Sequence, residues 1–183
     1  MNTQNVLLQM CSEVGIIKGT CVKVDAYDLK PVYLRLYRFN VNQKANLIGH
    51  IKILLQNKTL EPSESDWNHP ILLVPKANST ATRLVMDLRK FNARILENKK
   101  ITRFPMPTLN EIIDTVSSAN PQLFSAYDLT NAFLQCNLDP KSRDYFSFST
   151  HLGNFRYTKM VYGYTQSPSI FQAEMNRILN GLL

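Results

Sequence analysis

In LFSAYDLTNAFLQCNLD, residues 123–139, an apolar run leads to a single acid, Asp128, and then to a polar and aromatic segment. A lone carboxylate at the end of a buried strand can hold a divalent metal or act as a base, and either task needs partners brought in by other segments. Taken alone, such an Asp is as readily a surface acid that ends a strand or caps the next turn. Lys76 and Arg83 invite the same weighing. They stand seven residues apart at the two mouths of the loop KANSTAT, so a hairpin there points both at one anionic group, and fixed positive charge stabilises a phosphoryl group in transfer. The plainer reading is two solvated hairpin cations. Asp87 and Arg89 follow in RLVMDLR, where an ion pair and a contact to a nucleic-acid backbone both remain open.

The elements that must position these residues are read from periodicity. ILLVP and RLVMDL flank KANSTAT as the two strands of a hairpin. Upstream, residues 25–40 contain Pro31 and alternate apolar with basic side chains, which predicts an extended arm. NQKANLIGHIKILLQNK puts Leu47, Ile48, Ile51, Leu54 and Leu55 on one helical face. PTLNEIIDTVSSA predicts a helix with a capping box between Thr108 and Glu111 and a buried stripe of Leu109, Ile112, Ile113 and Val116, leading into the strand that ends at Asp128. YFSFST and FRYTKM predict a second hairpin about Gly153 and Asn154. A last helix is expected to start with Ser167 as N-cap and Pro168 at its first position, with Phe171, Met175, Ile178, Leu179 and Leu182 apolar. The order helix, hairpin, helix, strand, hairpin, helix predicts an α+β fold with mostly antiparallel pairing. Residues 1–22 show no strong period and are expected to be a poorly ordered lead-in.

With 183 residues and a hydrophobic fraction of 44%, the chain is long and apolar enough to bury a core. Its net charge of +7, from 21 Lys and Arg against 14 Asp and Glu, favours an anionic partner such as nucleic acid, with an incidental surplus of charge as the alternative. Cys11, Cys21 and Cys136 are odd in number and lack CxxC spacing, and His50, His69 and His151 lie far apart. That pattern argues against a zinc site or disulfide framework and for an intracellular compartment. No apolar run is long enough to span a bilayer, so no membrane partner is expected, and the N-terminus lacks a charged segment followed by a long apolar core.

Six blocks, DLKPVYLRLYRFN, LEPSESDWNHPILLVPK, RLVMDLRKFN, RFPMPTLNEIID, LFSAYDLTNAF and FSFSTHLGNFRYTKMVYGYTQSPSIFQAEMN, follow one another in an order and spacing that resembles the reverse transcriptases of LTR retrotransposons, especially the Ty3/gypsy type, and their retroviral relatives. The resemblance implies right-hand polymerase fingers with a truncated palm: fingers at 23–96, palm at 97–135, fingers again at 136–166 and a palm helix at 167–183. It implies template-directed DNA synthesis, in which a primer 3′-hydroxyl attacks the α-phosphate of a deoxynucleotide and releases pyrophosphate. The implied partners are an RNA or DNA template-primer, a dNTP and the remainder of the polymerase polyprotein, with two Mg²⁺ ions, in the cytoplasm or in retroelement particles.

Residue by residue, the resemblance makes Asp128 the first catalytic aspartate and a metal ligand, with the backbone of Leu129 as a further ligand. It sets Lys76 and Arg83 on the nucleotide phosphates and the backbone amide of Asn131 near the sugar 3′-hydroxyl. Phe133 falls at the steric-gate position, where a ring beside the sugar collides with a 2′-hydroxyl; an aromatic at this place is otherwise core. Tyr162, at the nucleotide site, stands where retroviral enzymes carry glutamine and is nearer the Phe of the Ty3/gypsy type. Arg89, Gly163 and Pro168 are implied to touch the template strand. The family's other two aspartates lie in a Tyr-x-Asp-Asp hairpin beyond the helix that starts at Pro168, whereas this sequence has no Asp-Asp pair and Glu174 is its last acid. One carboxylate does not clamp two Mg²⁺ ions, so the chain alone is expected to be inactive. A catalytically dead nucleic-acid-binding remnant and an unrelated α+β interaction domain are the rival readings.

Overall fold

The computed structural model describes residues 15–75, 82–98 and 104–180. In chain order these form β1 (Cys21–Val22), α1 (Val41–Gln56), β2 (Leu60–Pro62), β3 (Ile71–Pro75), β4 (Thr82–Met86), α2 (Arg89–Glu97), α3 (Leu109–Ala119), a 3₁₀ turn (Ala132–Gln135), β5 (Asn137–Leu138), a 3₁₀ helix (Pro140–Phe146), β6 (Ser147–Thr150), β7 (Gly153–Tyr157) and α4 (Ser167–Leu179). Three pairings are antiparallel, β3 with β4 and β7 with both β2 and β6, while β1 and β5 pair in parallel. The α+β, mostly antiparallel expectation holds.

Local chemistry accounts for the elements. Asn40 and Gln43 close a capping box that starts α1, and Leu47 and Ile51 bury its inner face. The helix stops in a Schellman arrangement: Lys58 adopts φ +54° and its N–H donates to the Leu55 carbonyl, while Thr59 N–H donates to that of Leu54. The chain then enters β2 in register with β7, Leu60 opposite Tyr157. Trp67, His69, Phe91, Tyr145, Phe146 and Tyr164 make a cluster of edge-on, tilted and stacked rings, centroids 5.3 to 6.2 Å apart. The cluster is tied to the sheet through His69, whose backbone N–H donates to the Ser147 carbonyl of β6. His69 is fully buried there. Its Nε2 donates to the Tyr145 carbonyl at 2.9 Å, which leaves Nδ1 unprotonated and without a partner, and burial pushes its pKa down to about 4.

Several expectations are corrected. Residues 123–128 form no strand; nothing in the described chain offers them a ladder partner, and an apolar run becomes a strand only when its backbone groups are paired. The helix α3 forms with its capping box of Thr108 and Glu111, yet its stripe is not buried, with Leu109 71%, Ile112 46%, Ile113 51% and Val116 38% exposed. The turn of the second hairpin falls at His151 and Leu152, so Gly153 and Asn154 already belong to β7. Ser167 is the first residue of α4 rather than its cap, which is Gln166; its hydroxyl donates to the Val161 carbonyl at 2.9 Å. In α4 Phe171 and Met175 are half-buried and Ile178 and Leu179 exposed, and Leu182 lies outside the described residues. Residues 15–22 are docked rather than trailing: β1 pairs with β5, Ile17 N–H donates to the Gln135 carbonyl, and Thr20 Oγ1 donates to Glu174 Oε2 of α4. The helix α2 was not anticipated, although Phe91 and Ile95 carry its buried face.

Candidate functional site

The 162–165 loop is the hub of the candidate site, and its neighbours fix it. Gly163 has φ +90°, and a Cβ there would stand 3.4 Å from the Met86 carbonyl at the end of β4, so backbone approaches backbone where only glycine sits without strain. From α2, Asn92 Nδ2 donates to the Gly163 carbonyl at 2.7 Å, and Asn92 Oδ1 accepts from Thr165 N–H at 3.0 Å. The hairpin β3–β4, α2 and the loop are thereby held in one register.

Tyr162 projects from this loop, 41% exposed. Its ring packs on Phe133, centroids 5.0 Å apart, and Phe133 in turn meets Phe171 of α4 edge-on at 5.6 Å. Phe133 sits in the 3₁₀ turn that follows Asn131, which takes a left-handed φ of +52° and accepts from Leu134 N–H through its carbonyl. The Tyr162 hydroxyl is pushed up in pKa, first by its partial burial; the positive charge of Arg83 pulls it down and the negative charge of Asp128 pushes it further up. Arg83 and Asp128 therefore both act on one phenol. The structure packs Phe133 against Tyr162, next to Gly163 in the loop, with Asn131 and Leu129 just upstream of Phe133 in the chain, while Arg83 and Asp128 reach Tyr162 through the electrostatic influence of their charges rather than through a contact.

Arg89 forms the ion pair. Its Nε and Nη2 donate to the two carboxylate oxygens of Asp87 at 2.9 and 2.7 Å, and Tyr37 adds a hydroxyl donor to Asp87 at 2.7 Å. These donors, Arg89 foremost, hold the buried Asp87 carboxyl well below the usual carboxylate range and raise Arg89. The Arg89 side chain nevertheless remains 81% exposed, so its outer edge stays open to a ligand. Pro168 lies exposed in the first turn of α4. Lys76 lies outside the described residues. Tyr37 and Asn92 were missed from sequence. The first carries no spacing signal, and the second sits in a helix that the strand reading of RLVMDL concealed.

A hard divalent ion takes several oxygen ligands, and no group of three or more His, Cys, Asp or Glu side chains suited to a metal occurs among the described residues. Asp128, exposed in its segment, offers one carboxylate, and that donor set does not by itself fit a two-ion centre.

Residues 74–183 match the family model described as reverse transcriptase (RNA-dependent DNA polymerase). The chain is 37% identical over 160 residues to the retrovirus-related Pol polyprotein from transposon 412 of Drosophila melanogaster, covering 85% of this chain and 12% of that protein. It is 29% identical over 157 residues to the Pol polyprotein from transposon gypsy of the same organism, covering 83% of this chain and 15% of the relative. The fold is similar to that of the protease-reverse transcriptase of prototype foamy virus, with TM-score 0.76, 23% identity, and coverage of 98% of this chain and 24% of that one. The chain thus spans a small part of the length of the curated relatives it matches.

Proposed function

The chain belongs to the reverse transcriptase (RNA-dependent DNA polymerase) family, and from that premise we propose that it supplies the fingers and the first part of the palm of a retroelement polymerase. In this reading fingers take 23–96 and 136–166, and palm takes 97–135 and 167–183. The observation that carries it is the bracing of Phe133 between Tyr162 and Phe171, at ring distances of 5.0 and 5.6 Å, with the charges of Arg83 and Asp128 both felt at the Tyr162 hydroxyl. A cation for phosphate, a carboxylate for the reacting end and a rigid ring for the sugar are the three groups that handling of a dNTP requires.

Each residue then has a role. Arg83, with Lys76 from the other mouth of the loop, holds the triphosphate. Phe133, held between Tyr162 and Phe171, keeps the volume of a 2′-hydroxyl filled, and the Asn131 amide lies under the sugar. Arg89 with its free outer edge, Gly163 and Pro168 meet the template strand of an RNA or DNA duplex, an anionic partner that suits the +7 charge. Mg²⁺ is the metal of the family. Asp128, with the Leu129 carbonyl, is proposed as one share of a two-ion site whose other carboxylates come from the remainder of the polyprotein. The foamy virus relatives include complexes with double-stranded DNA and with an RNA/DNA hybrid, which supports a duplex as the partner here. No helix among the described residues is long and apolar enough to cross a membrane.

The test is a chimaera in which these 183 residues replace the matching segment of the transposon 412 polymerase. The chimaera is expected to extend a primer, and Asp128→Asn to abolish extension. Phe133→Val is expected to raise ribonucleotide use, on the order of tenfold or more, with deoxynucleotide use kept. An active chimaera indifferent to Asp128→Asn overturns the assignment, and an inactive chimaera that still binds template-primer leaves the binding remnant as the better reading.

A further inference from the structure

Two residues beyond the end of β7 lies a buried cation with no anion. Lys159 is 7% exposed, and among the described residues its ammonium donates to a neutral acceptor, Asn137 Oδ1, with no carboxylate in ion-pairing range. Burying an ammonium against a neutral partner is costly unless a counter-charge arrives. Burial, followed by the positive charge of Arg143, lowers the Lys159 pKa accordingly.

The space beside it has the composition to receive that counter-charge. A cavity of about 340 Å³ is lined by Lys58, Leu60, Glu61, Asn137, Arg143, Thr158 and Lys159. Its single acid, Glu61, is already shared between Arg143 at 3.1 Å and Arg156 at 2.7 Å. Three cations therefore face the cavity against one committed carboxylate. The backbone at the rim is fixed as well: Lys58 is the left-handed residue that ends α1, and its carbonyl accepts from Thr158 Oγ1 at 2.6 Å, so its exposed side chain starts from an anchored point beside the wall. At roughly 30 Å³ per water the cavity holds a tetrahedral oxyanion together with part of its hydration.

We propose that this cavity is a phosphoryl-anion site, with Lys159 on its floor, Lys58 on its rim and Arg143 on its wall, separate from the residues gathered about Tyr162. Ammonium and guanidinium donors to phosphate oxygens are among the stronger hydrogen bonds in proteins. The phosphoryl group comes either from a nucleic-acid backbone or from free phosphate, and the two are told apart below.

The probe is inorganic phosphate, titrated into the whole chain at constant ionic strength against chloride and followed by thermal unfolding and calorimetry. The wild type is expected to show a saturable rise in Tm. Lys58→Gly is the decisive variant, because a glycine suits φ +54° and the variant keeps or raises its own Tm. It is expected to bind phosphate about tenfold more weakly, and Lys159→Gln to lose the saturable response. If a strand supplies the phosphate, Lys58→Gly also lowers the slope of log affinity for a duplex oligonucleotide against log salt by about one. If free phosphate is the ligand, that slope is unchanged while phosphate binding by Lys58→Gly is still weakened about tenfold. A wild type without a saturable response, or a response that both variants retain in full, overturns the site.

Discussion

The helices α2 and α3 make an instructive pair. α3 has the better local sequence, eleven residues with a reciprocal capping box and an apolar stripe, whereas α2 has nine residues and no side-chain cap at all. Yet Phe91 and Ile95 of α2 are fully buried, while every residue of α3 is exposed. Caps and spacing decide whether a helix forms; a partner surface decides whether its apolar face leaves water. The contrast extends to the regions around them, since residues 105–131 include no buried side chain and the aromatic cluster about Phe91 is dense. It divides the candidate site too. Arg83, Tyr162 and Phe133 are carried by or braced against the packed side, and Asp128 stands on the exposed one.

The sharpest way to break this comparison is to cut into each half. Phe91→Ala is expected to cost about 3–5 kcal/mol of unfolding free energy, the range for removing a fully buried ring, whereas Ile113→Ala should shift it by less than about 0.5 kcal/mol. Denaturant midpoints for the two variants measure the gap, and equal losses would mean that the stripe of α3 is covered in solution.

Acid gives the next largest effect and acts on the packed half. His69 has a folded-state pKa of about 4 against 6.5 when unfolded, so the unfolded chain takes up this proton first. The contribution is complete above pH 6.5 and is lost as pH falls towards 4, amounting to about 3 kcal/mol. Unfolding free energies at pH 7 and pH 4 should differ by that much more in the wild type than in His69→Gln, which keeps a donor for the Tyr145 carbonyl but does not titrate. An identical pH profile in both would remove His69 as a source of acid sensitivity.

A smaller effect lies where the two halves meet. Gly163→Ala places a side chain at φ +90° facing the Met86 carbonyl and is expected to cost about 1–2 kcal/mol, with a displaced Tyr162 seen as a changed near-ultraviolet dichroism. A variant as stable as the wild type with an unaltered spectrum would show that the loop is not fixed as described.

What was legible in the sequence follows the same division. The first hairpin, α1, the capping box of α3 and the α+β class rest on local patterns and agree with the structure, and the second hairpin forms with its turn two residues earlier than expected, at His151 and Leu152. The strand expected to end at Asp128 and the burial of Leu109, Ile112, Ile113 and Val116 depend on partners that local pattern does not supply. The α2 error has a different cause: Phe91 and Ile95 are spaced for a helix, but the preceding RLVMDL is a strand, and the change of period from two to 3.6 falls at Asp87, inside one continuous block. Of the candidate site, the family resemblance supplies the expected residues as proposals, whereas Asn92 and Tyr37 carry no local signal because both act through hydrogen-bonded partners distant in sequence.

The central claim is that the side of the candidate site formed by Phe133 and Tyr162 is preorganised by a packed core while the segment bearing Asp128 is not. Amide hydrogen exchange on the 183-residue chain measures it directly. Slow exchange is expected at Leu47 and Ile51 of α1, Phe91 and Ile95 of α2 and through β6 and β7, with residues 105–131 exchanging orders of magnitude faster. Protection through residues 105–131 equal to that of α1 and α2 would contradict the account.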